Sequence, residues 1–394
     1  MYIVNVIENL DERYGGPAKS VTLACKYINK LNINTCIRSI QLYSEERNDI
    51  VIDNNLDWLK FPSYGPKIIR FSPQLYKHLE KECAVNEVVI HSQNLWNFPA
   101  YAVLNLKGRY GVPLVTSIRG ALYDWSLNQS KIKKNVAWYS FQRRALEAAD
   151  CLHVTEPGEL EAVRQLGISS PVALIPNGVE LDVSKVRLTK SESSRKLGLN
   201  PETRYVLFLS RLHKKKGVDL LIKAWGYISA KFPNWHLLIA GHCEDEVYMD
   251  YLVEEVNLQG VDDSITFLGM LHGKERDAAL ELADLFVLPS HTENFGIAIA
   301  EALASSCPVI TTTGTPWKEI VDYKAGWWVE LSLGNLIRSL EEAMTLPVSE
   351  LHIMGENGLR LIQKYRWEKQ AEKFQQLYRW VLKKENKPDF IDIK

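Results

Sequence analysis

Short apolar runs alternate with amphipathic stretches almost from one end of the chain to the other. Residues 2–7 are apolar enough for a strand, and the polar loop Glu8–Gly16 follows. A helix is expected from Pro17, because proline suits the first helical position, where its missing N–H is not needed. Val21, Ala24, Ile28 and Leu31 then recur at helical spacing. Further strands are predicted at 36–41, 87–91, 113–118, 151–154 and 172–175, with helices at 73–82, 97–110, 130–149 and 157–166. The pattern then restarts. Strands are expected at 204–209, 235–240, 264–269, 285–288 and 308–312, and helices at 217–231, 245–257, 273–282 and 295–304. Such alternation predicts parallel sheets covered by helices on both faces. The expected fold class is therefore α/β, with two doubly wound domains and a ligand cleft at the carboxyl ends of their strands. Pro176-Asn-Gly-Val-Glu180 and the polar run from Ser184 to Asn200 read as an interdomain linker. Near the end, Phe374, Leu377, Tyr378 and Val381 recur at helical spacing within 367–382.

Length agrees with more than one domain, since 394 residues at about 150 per domain give two or three. The chain carries 47 basic and 48 acidic side chains, which gives no support to a nucleic-acid-coating role. Residues 1–175 hold 20 basic and 17 acidic residues and the remainder 27 and 31, so the basic surplus lies in the first half. Six dispersed cysteines without a C-x-x-C pair read as reduced thiols of a cytoplasmic protein. Met1-Tyr-Ile-Val-Asn-Val lacks the basic start and long apolar core of a signal peptide, and no apolar stretch is long enough to span a membrane.

Three segments carry candidate chemistry. Ser290-His-Thr-Glu-Asn-Phe-Gly-Ile-Ala-Ile-Ala-Glu301 follows an apolar strand and opens a helix. Glu293 and Glu301 are at most about 12 Å apart along a helix, too far to share one reacting atom but suited to two parts of an elongated ligand. Free N–H groups around Asn294, Phe295, Gly296 and Ile297 form an anion site at a helix start. A plainer reading makes Glu293 a helix cap and Glu301 a solvated glutamate. Ser210-Arg-Leu-His-Lys-Lys-Lys-Gly217 places Arg211 and Lys216 between a strand end and a helix start, where they suit a diphosphate; the alternative is a solvated basic loop. Gly15-Gly16-Pro17 lets backbone approach a ligand, or is an ordinary turn; G-x-G-x-x-G is absent.

Taken in order and spacing, these segments resemble the family 4 glycosyltransferases. The resemblance also rests on Ile175-Pro-Asn-Gly-Val179 and Phe267-Leu-Gly269, and covers nearly the whole chain. It implies the GT-B fold: two Rossmann-like domains facing each other across a cleft. An acceptor domain would span 1–177, with the helix from about 367 to 394 packing back on it, and a donor domain 178–366. It implies retaining transfer of a sugar from a nucleotide-sugar donor to a saccharide or lipid-linked acceptor, without cofactor or bound metal. Arg211 and Lys216 would stabilise the leaving diphosphate, Glu293 would contact the donor sugar and Glu301 the ribose. Gly15, Gly16 and Gly269 would line the donor site. UDP-glucose is the first expectation for the donor, a GDP-sugar the next, and polysaccharide assembly the setting. Alternatives within the fold are a nucleotide-sugar epimerase, a phosphorylase, or a catalytically silent sugar-nucleotide binder.

On the acceptor side, His91, Asn94 and Arg119 follow strand ends. For His91 the plainer reading is a hydrogen-bonded structural histidine, and many relatives carry histidine where Arg119 stands. Lys131, Lys133, Lys134, Arg143 and Arg144 share a predicted helix with Val136, Trp138, Tyr139 and Phe141. One reading is a face that meets anionic lipid at the inner side of a membrane. The plainer reading, which the pattern favours, is a solvated helix face backed by a buried apolar stripe.

Overall fold

The computed structural model describes residues 1–10, 16–41, 56–85, 87–181 and 188–393. The chain forms two compact units, Met1–Gly178 with Trp367–Lys394, and Val179–Arg366.

The first unit is built on β1 (Tyr2–Ile7), β2 (Asn34–Gln41), β3 (Asp57–Pro62), β4 (Val88–Ser92), β5 (Leu114–Ser117), β6 (Cys151–Val154) and β7 (Val172–Leu174). These strands are parallel in the order β7-β6-β5-β4-β1-β2-β3, and the short strand Ile391–Asp392 adds antiparallel to β7. Every residue of β4 and β5 is buried, as expected of central strands covered on both faces, so neither alternates between exposed and buried positions. The helix Trp367–Val381 buries Phe374, Leu377 and Tyr378, and its Trp367 ring lies stacked 6.3 Å from Tyr27 of the helix Gly16–Asn29.

The second unit contains β8 (Arg204–Leu209), β9 (Trp235–Ala240), β10 (Ile265–Gly269), β11 (Leu285–Leu288), β12 (Val309–Thr312) and β13 (Gly326–Val329). They too are parallel, in the order β10-β9-β8-β11-β12-β13. Each sheet reverses its winding once, between β1 and β4 in the first and between β8 and β11 in the second. Such a reversal leaves a crevice at the carboxyl ends of the two central strands, because their connections leave in opposite directions.

Two sequence readings change. The polar run 184–200 is not simply a linker; residues 182–187 lie outside the described ones, and Lys190–Leu197 is a helix. It is nearly all polar, and a capping box of Thr189 and Glu192 starts it while Gly198, at φ 69°, ends it. The expected helix 130–149 is interrupted by a π-turn at Trp138–Gln142, between Lys131–Ala137 and Arg143–Ala148. Its apolar positions are not one buried stripe: Val136 and Tyr139 face solvent, while Trp138 and Phe141 turn inward to Trp96 and Tyr101.

The chain's two passages between the units are neighbours. The Val179 N–H donates to the Tyr365 carbonyl at 2.7 Å, and Val179 pairs with Arg366 in an isolated parallel bridge. Gly178 has no room for a side chain, since a Cβ there would collide with the Trp367 indole.

Candidate active site

In the second unit, three loops leave the carboxyl ends of β8, β11 and β12 and are knitted together by their backbones. The His291 N–H donates to the Lys215 carbonyl at 2.9 Å, and the Glu293 N–H to the Gly314 carbonyl at 2.8 Å. Glycine is required where these chains touch. Gly217 sits at φ 69°, and a Cβ on it would strike the Pro289 carbonyl oxygen; at Gly314 it would strike that of His291. Gly241 stands equally close to Ser210, and its N–H donates to the Gly269 carbonyl at 2.8 Å.

On this frame Lys216 and Glu293 form an ion pair, both side chains mostly buried. Ser290 Oγ donates to the same Glu293 oxygen at 3.0 Å. Glu293 therefore does not cap the following helix, Ile297–Ala304; the cap is Gly296, at φ 74°, which offers no side-chain acceptor. That leaves the helix start facing the loop with its positive end uncompensated by a side chain. Arg211 is exposed at the β8 end. The local potential is positive: after desolvation, Arg211, Lys216 and Lys215 all hold His213 below its ordinary pKa. A basic loop beside two glycine-capped helix starts can receive a dianionic ligand.

Glu301, one turn and more into its helix, pairs with Arg276 of the helix Gly273–Leu282. Arg276 had no signal of its own in the sequence, because its partner is 25 residues away. Phe295 is a buried anchor, its ring 5.2 Å from Trp317 and 5.6 Å from Tyr365, and its carbonyl accepts from the Trp317 indole N–H. The ring is thus occupied with packing, and the part expected of Phe295 rests on its backbone N–H. Asn294 and Ile297 are half-buried on either side, and Gly269 is open, at φ 67° with no atom crowding it.

In the first unit Gly15 lies outside the described residues, and Gly16 opens the first helix. His91 does not line an open strand end: it is 1% exposed. Its Nδ1 lies 2.8 Å from the Tyr378 hydroxyl and its Nε2 2.8 Å from Ser117 Oγ, which in turn lies 2.8 Å from His153 Nδ1. His153 Nε2 lies 2.9 Å from the Ile175 carbonyl, which can only accept. The proton pattern follows. His153 donates to Ile175, Ser117 to His153, His91 to Ser117 and Tyr378 to His91, with both rings neutral. Burial holds His91 well below 6.5 and, with Arg119, His153 at about 3. This is a satisfied interior network.

Asn94 is also buried, donating to the Val6 carbonyl at 2.8 Å across the β1–β4 reversal. Arg119, at φ 49°, donates to Gln93 and Ser20, each at 2.9 Å, and burial lowers its pKa to about 10. A further polar group at these strand ends escaped the sequence reading. Arg70 donates to Glu8 at 2.5 Å and Asn97 to the other Glu8 oxygen at 3.3 Å. Among the described residues, no three or more His, Cys, Asp or Glu side chains are placed to hold a metal ion.

Comparison with known proteins bears on the family and the fold. Residues 189–361 match the family described as Glycosyl transferases group 1, and residues 42–178 the Glycosyl transferase 4-like domain. An uncharacterized glycosyltransferase of Methanocaldococcus jannaschii is 27% identical over 286 residues, 68% of this chain and 70% of that protein. A D-inositol 3-phosphate glycosyltransferase of Segniliparus rotundus is 24% identical over 313 residues, 77% of this chain and 69% of that protein. The structure of Anabaena HepE in complex with UDP and glucose superposes with a TM-score of 0.77 at 16% identity. The match covers 96% of this chain and 99% of that one, which shows a shared fold, GT-B.

Proposed function

The chain belongs to the group 1 glycosyltransferases, and from that premise we propose that it moves a hexose from a UDP-sugar to a saccharide or lipid-linked saccharide acceptor, with retention at the anomeric carbon. UDP-glucose is the first donor proposed and a GDP-sugar the second; the UDP and glucose bound by HepE support the first. The observation that carries the reading is the Lys216–Glu293 pair beside exposed Arg211 at the β8–β11 reversal. The second unit is then the donor unit and the first the acceptor unit.

In this mechanism Arg211 forks onto phosphate oxygens, and Lys216 turns from Glu293 to the diphosphate as the sugar–phosphate bond stretches. Charge grows on the leaving oxygen, so fixed cations and helix starts act most strongly in the transition state. They supply the positive charge of the site, and the transfer is proposed to run without a bound metal. Glu293, released from Lys216, accepts hydrogen bonds from donor-sugar hydroxyls. Glu301, held by Arg276, accepts from the ribose, with Gly269 and the backbone of 294–297 lining the donor. The acceptor oxygen attacks from the face the phosphate leaves. The new C–O bond forms as the old one breaks, and the leaving phosphate oxygen takes the acceptor's proton. A glycosyl-enzyme route is less favoured, since it needs paired carboxylates about 5 Å apart, whereas Glu293 and Glu301 are engaged by different cations.

The setting proposed is assembly of an exopolysaccharide or O-antigen type of glycan in the cytoplasm; six free cysteines fit a reducing compartment. No helix among the described residues is long and apolar enough to cross a membrane. A thermal-shift screen of UDP-, GDP- and ADP-sugars tests the donor, because a ligand bound only by the folded state raises its melting temperature. UDP-glucose is expected to give the largest shift. NMR of the product should show retained anomeric configuration; inversion overturns the mechanism.

A further inference from the structure

Two separate elements of the first unit are turned inside out. In the loop from Tyr64 to Phe71, Arg70 is folded inward at φ 55° to Glu8, while Ile68, Ile69 and Phe71 around it are about half exposed. The loop is pinned, not slack: the Tyr64 N–H donates to the Phe71 carbonyl at 2.7 Å, and the Phe98 N–H to the Ile69 carbonyl at 2.8 Å. On the segment 131–144, Gln142 is wholly buried and its Oε1 accepts from the Trp96 N–H at 2.7 Å. The outer stripe is Ile132, Val136 and Tyr139, respectively 81%, 66% and 84% exposed. Polar groups point in and apolar ones out, opposite to what water favours.

The two elements are continuous through aromatic rings. Phe71 meets Phe98 edge-on at 4.9 Å, Phe98 lies 6.2 Å from Tyr101, and Tyr101 meets Phe141 at 5.9 Å. Tyr101 is itself 44% exposed. Around this apolar surface stand the exposed cations Lys67, Lys131, Lys133, Arg143 and Arg144. Arg143 pairs with Glu147 at 2.8 Å. From Trp125 to Leu146 there are five basic residues and no acidic one.

We infer that this face docks on an anionic lipid surface, with Ile68, Ile69, Ile132, Val136 and Tyr139 entering the interface and the surrounding cations meeting headgroups. Apolar tips ringed by one sign of charge complement a bilayer, which offers hydrocarbon beneath a negative layer. The segment 131–144 follows β5 and Arg119, so docking brings lipid to the carboxyl-end side of the first sheet, where a lipid-linked acceptor would be presented.

The test is flotation of the full chain with phosphatidylcholine vesicles, alone or mixed with phosphatidylglycerol, without nucleotide sugar. Binding is expected to the mixed vesicles, weakened by salt, and little to phosphatidylcholine alone. Lys131→Glu with Lys133→Glu should lower partitioning about tenfold or more. Ile132→Ser, Val136→Ser and Tyr139→Ser together should lower it about tenfold or more while the melting temperature stays near that of the parent, these side chains being exposed. Ile68→Ser with Ile69→Ser tests the loop in the same way. Absence of binding to mixed vesicles, or binding unchanged in all three variants, overturns the inference. So does sedimentation showing a dimer that the triple variant dissolves, with no vesicle binding; the face would then belong to a second copy. Vesicle binding without any response to nucleotide sugars would uphold this surface and overturn the proposed transfer instead.

Discussion

At the strand ends of the first unit, His91, Ser117 and His153 meet one another and the Tyr378 hydroxyl, sealed from solvent. At the corresponding ends of the second unit, Lys216 pairs with Glu293 and Arg211 is exposed. The winding of the two sheets is the same, so topology alone does not decide which polar side chains meet a ligand. What differs is the partner. A histidine whose two nitrogens are both satisfied by neutral neighbours gains nothing from a ligand. A lysine paired to one carboxylate beside other cations can exchange that partner for a phosphate.

The contrast can be broken at several points. Lys216→Ala should lower kcat/KM by two or more orders of magnitude, about 3 kcal/mol of transition-state stabilisation, with little change in melting temperature. Near-normal turnover would remove the charged half of the comparison. His91→Ala should do the reverse. It removes the acceptor of the Tyr378 hydroxyl and the donor to Ser117, which keeps its bond to His153, and should cost about 2 kcal/mol of stability in urea unfolding, with turnover of the folded protein within a few-fold. A collapse of turnover at unchanged stability would make His91 a ligand-contacting residue after all.

The interior network also carries a pH signature. His91 and His153 are neutral when folded but take up protons below 6.5 when unfolded, so unfolding binds protons and stability falls as pH drops. The loss should start near pH 6.5 and continue toward about 3 for His153, at up to about 1.4 kcal/mol per pH unit for each ring. Urea titrations between neutral and mildly acid pH should show a shallower slope in His91→Gln. The smallest effect concerns the ribose side. Arg276→Met frees Glu301 and should raise the donor KM about fivefold, about 1 kcal/mol, leaving kcat nearly unchanged; a matching fall in kcat would place Arg276 in the chemical step.

Parallel strands were the most legible part of the chain, because burial on both faces leaves an uninterrupted apolar run such as 205–209 or 285–288. The edge strands β3 and β13 escaped, being only half-buried. The helix Lys190–Leu197 escaped because it has almost no apolar face, although Thr189 and Glu192 carry the spacing of a capping box. In the candidate site, the placement of Lys216 and Glu293 at strand–helix junctions could be read, since glycines mark those junctions. The misjudged residues are those whose partners are distant in sequence: Tyr378 is 287 positions from His91, and Arg276 is 25 from Glu301. Spacing cannot reveal a partner that only folding supplies.

The meeting of Val179 with Tyr365 and Arg366 has a consequence for how such a protein can be altered. Residues 179–366 form an uninterrupted segment that leaves and re-enters its host at one place. A segment of that kind is a cassette, because its two ends ask of the host only that they stay close together. It can be exchanged whole for the equivalent stretch of a relative, joined at Gly178 and Trp367, with both sheets left uncut. Under the proposed assignment of the donor to the second unit, such an exchange would carry the choice of sugar with it and leave the residues of the first unit unchanged.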